Sequence, residues 1–168
     1  MGTSSFALQQ SGLVGPAASC ARWIRVAAGG GSATVRVAVP VPSGRLCVIA
    51  CEGPQDAFGR LRSSRRRTVF RTGHAIHVPI QGSVGVSLGI FPLIHDEDTL
   101  GVVEVLGPTA MVQGRVDVLT ALVGQSALVL NSAHLQSEAE RALAGMNSLL
   151  QLASEFVWAA TTGHTSTE

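Results

Sequence analysis

Apolar and polar positions recur along this chain with two different periods, and the switches between them mark the elements. Over residues 14–28, Cys20, Trp23, Ile24 and Ala27 fall at helical i, i+3, i+4, i+7 spacing. Pro16 suits the first turn, and Gly29, Gly30 and Gly31 stop the pattern. Residues 33–41 then alternate through Val35, Val37 and Val39, and 45–51 are apolar on both faces. With Pro42, Ser43 and Gly44 between them, they predict a hairpin. Pro40 and Pro42 place the end of the first strand at an edge or outside the sheet.

Residues 57–72 are irregular and basic, with one or two short helices expected. A short strand is predicted over 75–79 and a glycine-containing loop over 80–85. Residues 86–94 and 100–106 form a second hairpin across the polar turn His95, Asp96, Glu97 and Asp98. Gly101, just past that turn, suits a close approach of backbone. Gly107 and Pro108 end the hairpin.

No proline interrupts the helical pattern over 115–160. Unbroken, about 45 residues would span roughly 65–70 Å, more than one small domain covers. Leu119, Leu122, Val123, Leu130 and Ala133 can pack on a sheet. Beyond them Leu143, Met146, Leu150, Ala153, Val157 and Ala160 repeat at 3-4 spacing. That is either the seam of a homodimeric coiled coil or a face that packs on the first helix. Gly145 weakens the run. The expected organisation is a flexible tail over 1–12, a domain over 13–135, a helical extension over 136–160 and a polar tail or linker over 161–168.

Composition narrows the function classes. Hydrophobic content is 46% and charged content 14%, ample for a core and unlike a disordered chain. The formal net charge of +1 gives no global field for nucleic acid. All the basic residues are arginine, which fits codon bias before chemistry. No uninterrupted apolar run reaches the ~18–20 residues of a membrane span, and the N-terminus lacks a signal-peptide pattern. An odd number of cysteines suggests reduced thiols in a cytoplasm.

Three phrases in order resemble the GAF domain family, sensory and regulatory modules of signalling proteins. They are VFRTGHAIHVP (69–79), SLGIFPLIHDEDTLGVVEVLGP (87–108) and LTALVGQSALVLNSAHL (119–135). Pro92-Leu93, Leu100-Gly101-Val102, and Gln125, Ala127, Asn131 and Leu135 carry the match. The resemblance is good over 69–135 and weak before Arg45. It implies an α+β fold: a central antiparallel sheet, the first and last helices on one face, and a pocket roofed by the irregular segment on the other. It also implies a non-catalytic module of a bacterial, actinobacterial-like signalling protein that dimerises through its terminal helices and acts on an output domain. The alternative is a degenerate domain serving only as a structural dimerisation unit. The implied ligand-side residues are Arg67, Arg71, His74, His77 and Phe91, and the implied dimer contacts are Leu143, Met146, Leu150, Ala153 and Val157. A small-molecule ligand is implied, its identity and any cofactor unknown.

Particular chemistries fare poorly. The cyclic-nucleotide signature of the family includes a lysine, and this chain has none. Haem-binding members carry a histidine where Val86 stands. His74 and His77 fall on opposite faces of an extended segment, which argues against a shared metal. Cys47 and Cys51 lie roughly 13 Å apart along a strand, too far for a disulfide. The methionine sulfoxide reductases of this fold use cysteines near the pocket roof, and residues 57–94 contain none. The cluster Arg60, Arg62, Arg65, Arg66, Arg67 and Arg71 is either a solvated face or an anion site, with Asp96, Glu97 and Asp98 as candidate partners. No nucleophile–base spacing or phosphate loop stands out.

Overall fold

A computed structural model describes residues 11–54, 58 and 64–162. The expected tail over 1–10, Arg60 and Arg62 of the basic cluster, and the polar ending after 162 lie outside these residues. The helices are α1 (Val14–Ala27), α2 (Ser64–Thr72), α3 (Thr109–Gly114) and α4 (Val116–Thr162). The strands are β1 (Thr34–Pro40), β2 (Leu46–Glu52), β3 (Ile76–Pro79), β4 (Val86–His95) and β5 (Asp98–Pro108). They form one antiparallel sheet in the order β2-β1-β5-β4-β3. The chain divides into two units, Met1–His134 and Leu135–Glu168.

Within the first unit the sheet has helices on both faces, as a half-apolar strand pattern requires. On one face Val35, Val37, Phe91, Leu93, Val103 and Val105 pack against Ala17, Ala21 and Ile24 of α1 and Leu119, Val123 and Leu130 of α4. On the other, Ala38, Leu88, Ile90, Val102 and Leu106 pack with Phe58 and with Val69 of α2. This is the expected α+β arrangement.

Local chemistry explains the joints. Gly29, at φ 115°, takes a conformation that side chains resist, and α1 ends there. Arg115 donates from Nη1 to the carbonyl of Ala27 at 3.0 Å, satisfying an end carbonyl of α1. β1 leaves β5 after Ala38 while Pro40 still faces Leu46 of β2, so the proline costs no inner ladder bond. Gly101 is where backbones meet closely: a Cβ there would sit 2.5 Å from the Ala38 carbonyl oxygen. Two details differ from the sequence expectation. The hairpin turn is only Asp96 and Glu97, because Asp98 already pairs with His95. A short helix, α3, precedes the long one.

The second unit is helical over its described residues, from Leu135 to Thr162. Leu143, Met146, Leu149, Leu150, Leu152, Phe156 and Val157 are each more than half exposed. The helical stretch Val116–Trp158 contains an 18-residue window, of mean hydropathy 1.3, that is long and apolar enough by length and composition to cross a membrane. In the first unit, however, the same helix buries Leu119, Val123 and Leu130 in the sheet's core.

Candidate functional site

β5 alternates Val102, Glu104 and Leu106 on the face that α2 covers, with Val103 and Val105 on the other. A glutamate is thereby carried into an apolar layer, and its side chain is only 3% exposed. Two arginines meet it. Arg36 lies directly opposite on β1 in the strand register. Arg66 descends from α2 and donates from Nε to Glu104 Oε1 at 2.6 Å. The Arg36 Nε stays 4.0 Å from Oε2, beyond hydrogen-bond reach. Both of those atoms are buried without a hydrogen-bond partner among the described residues. The Arg36 guanidinium lies over the ring of Phe58, 3.5 Å from its centroid, a cation–π contact in a nearly dry layer.

The electrostatics follow from this geometry. Burial pushes the Arg36 pKa down, while Glu104 holds it up and Arg66 pushes it down further. The guanidinium stays charged all the same at any ordinary pH. Burial raises the thiol of Cys51, and Arg36 opposes that rise. Burial also raises the thiol of Cys20 on α1.

Of the ligand-side residues taken from sequence, the structure brings His77 and Phe91 together and leaves Arg67, Arg71 and His74 apart from them. Arg67 and Arg71 are exposed on α2, and His74 is exposed in the loop after it. Phe91 belongs to the core beneath α1 and α4, the face away from α2. His77 stands edge-on to Phe91, with ring centroids 5.2 Å apart, in the register position opposite Gly89. Strand parity is legible in sequence, but the face that carries His77 depends on the pairing of β3 with β4. Among the described arginines of the cluster the inward one is Arg66, next to Arg67 in sequence, and its partner is Glu104. Asp96 lies 3.2 Å from Nδ1 of His95, and none of the described arginines of the basic cluster pairs with it. The available signal was a charged residue at an inward strand position in both β1 and β5.

His77 makes a pH prediction. Its Nδ1 is buried without a hydrogen-bond partner among the described residues, and burial lowers its pKa from 6.5. Between the depressed folded value and 6.5 the unfolded chain binds a proton that the native one refuses. Stability is therefore full above about 6.5 and falls as the pH drops below it. Urea unfolding near pH 7.5 and near pH 5.5 should show a larger acid loss for the wild type than for His77→Phe. Equal losses would refute this role.

No protein-family profile matches the sequence, and no curated protein sequence matches it. Solved structures do resemble the fold. A GAF domain/HD domain protein from Geobacter sulfurreducens superposes with a TM-score of 0.56 at 12% identity, covering 76% of this chain and 99% of that one. The GAF domain of the potassium sensor histidine kinase KdpD from Escherichia coli gives 0.53 at 21%, covering 80% and 92%. The type II free methionine-R-sulfoxide reductase of Thermoplasma acidophilum gives 0.55 at 8%, covering 73% and 95%. The chain has the GAF fold.

Proposed function

We propose that the chain is a non-catalytic sensory or regulatory domain that pairs as a parallel homodimer along α4 and passes its state to an attached output domain. The observation that carries this is an exposed 3-4 stripe. In the first unit it holds Val118 and Leu128, and in the second Leu135, Met146, Leu149 and Phe156. Ala121, Ala139, Ala142 and Ala153 continue the spacing and are exposed too, with the polar Gln125 and Ser132 interrupting it in the first unit. Leu143, Leu150 and Val157 flank it, and Met146 and Ala153 belong to both sets. The resulting apolar face is wider than a two-stranded seam and suits a helical bundle. In the first unit Trp23 and Val26 of α1 are exposed as well, at 58% and 69%. The fold's occurrence in a sensor histidine kinase supports the regulatory part.

Cysteine cross-linking tests the arrangement. With Cys47 and Cys51 both replaced by serine, Leu149→Cys should oxidise readily to an intermolecular disulfide, because equivalent stripe positions face each other in a parallel pair. Gln151→Cys, on the polar side of the helix, should not. Equal cross-linking at both positions, or none at either, would overturn the arrangement. A second reading, a structural dimer without ligand, is favoured by Phe58 and the Arg66–Glu104 pair, which fill space between α2 and the sheet.

A further inference from the structure

We propose that Arg36, held flat on Phe58 beside Arg66, is the anchoring point for a small oxyanion: a carboxylate or phosphate group carried by a metabolite. This deepens the sensory reading above and rests on it. Charge balance is the first argument. Among the described residues, two guanidiniums share one carboxylate in a layer where the side chains of Glu104, Arg66 and Arg36 are 3%, 11% and 18% exposed. A buried surplus of one positive charge is costly unless an anion answers it.

Hydrogen bonding is the second. Glu104 is committed to Arg66 through the 2.6 Å bond. None of the described side chains accepts a hydrogen bond from the Arg36 guanidinium, and its Nε is unpartnered. Stacking is the third. With one π face on Phe58 at 3.5 Å, the guanidinium offers its in-plane edge, the approach used for forked contacts to carboxylate and phosphate. The Arg36 side chain is partly exposed to solvent, although its Nε is buried. Arg65, Arg67 and Arg71, exposed on α2, add a positive field that draws anions in. The basic segment thereby acquires a function that its solvated side chains alone would not have.

Glu104 acts as the internal competitor of the incoming anion, and this gives the proposal a signature that a purely structural triad lacks. The full chain is titrated with inorganic phosphate and, separately, with malonate, against sodium chloride at matched ionic strength. The readouts are calorimetric binding and the thermal midpoint. A saturable rise in midpoint beyond the chloride control is expected with at least one of the two. A response to phosphate alone assigns a phosphate ester, and one to malonate alone a carboxylate. Arg36→Gln should weaken binding about tenfold or more, the loss of a charged hydrogen bond. Arg36→Lys, which keeps the charge and loses the fork, should fall between. Glu104→Gln should bind the anion more tightly than the wild type although it is less stable. Leu149→Asp should bind as the wild type does, so failure of the dimer and failure of this site are separable. A midpoint that follows ionic strength only, or an Arg36→Gln chain with wild-type anion response, would overturn the proposal.

Discussion

Glu104→Ala is expected to cost about 3 kcal/mol of folding stability, the lower end of what removing one partner from a buried ion pair costs. The carboxylate is the only acidic group among the described side chains that meets Arg36 and Arg66. Deleting it leaves two guanidiniums pressed between α2 and the sheet with no other carboxylate among the described side chains to answer them. The lower end applies because both arginines keep partial exposure. Against a total stability of about 5–15 kcal/mol for a domain, the loss is large. Replacing Glu104, Arg66 and Arg36 together by apolar side chains of similar volume should recover most of it, since a buried ionic cluster so exchanged is often neutral. A double-mutant cycle in urea isolates the coupling. A loss under about 1 kcal/mol for Glu104→Ala, within the range of ordinary exposed ion pairs, would mean that the triad is solvated and carries little.

Leu149→Asp is expected to weaken self-association roughly a thousandfold, if each copy loses about 2 kcal/mol at the seam. Leu149 is 67% exposed in the single chain and sits in the middle of the second unit's stripe. In a parallel pair the two substituted carboxylates would face each other in an apolar layer, where like charges are both desolvated and repelled. The helix itself should persist, because aspartate costs only a few tenths of a kcal/mol in an exposed helical position. Helical dichroism therefore separates a lost interface from a lost helix. Gln151→Asp carries the same charge change on the polar face and should leave association near the wild-type value.

The two hairpins and the long helix are legible in the sequence because each has a clear local period. Turn residues mark the ends of β1 and β2, and the glycines after α1 mark its stop. The six-residue α3 is not legible, since a helix that short shows too little of a period to register. Nor is the short turn at Asp96 and Glu97: the charged Asp98 joins the ladder through its backbone, which its side chain does not announce. The Glu104 site is legible only in part. Arg36 and Glu104 each interrupt an apolar strand, but Arg66 comes from 38 residues away, and no local pattern in the arginine cluster identifies it as turning inward. Phe91 and His77 illustrate the same limit. Their alternation is plain, yet whether they face α2 or the α1–α4 layer follows from the packing of the sheet. The phase of the α4 stripe depends likewise on knowing that Leu119, Val123 and Leu130 are taken by the sheet.

Sedimentation equilibrium of the full chain over a wide concentration range tests self-association along α4 most directly, with Leu149→Asp run beside it. The expected result is a wild-type mass rising to twice the chain mass of 17.4 kDa, with the variant remaining at the single-chain value. A wild type that stays at 17.4 kDa up to the highest concentration would contradict the account and leave the stripe to another occupant, a lipid surface among them.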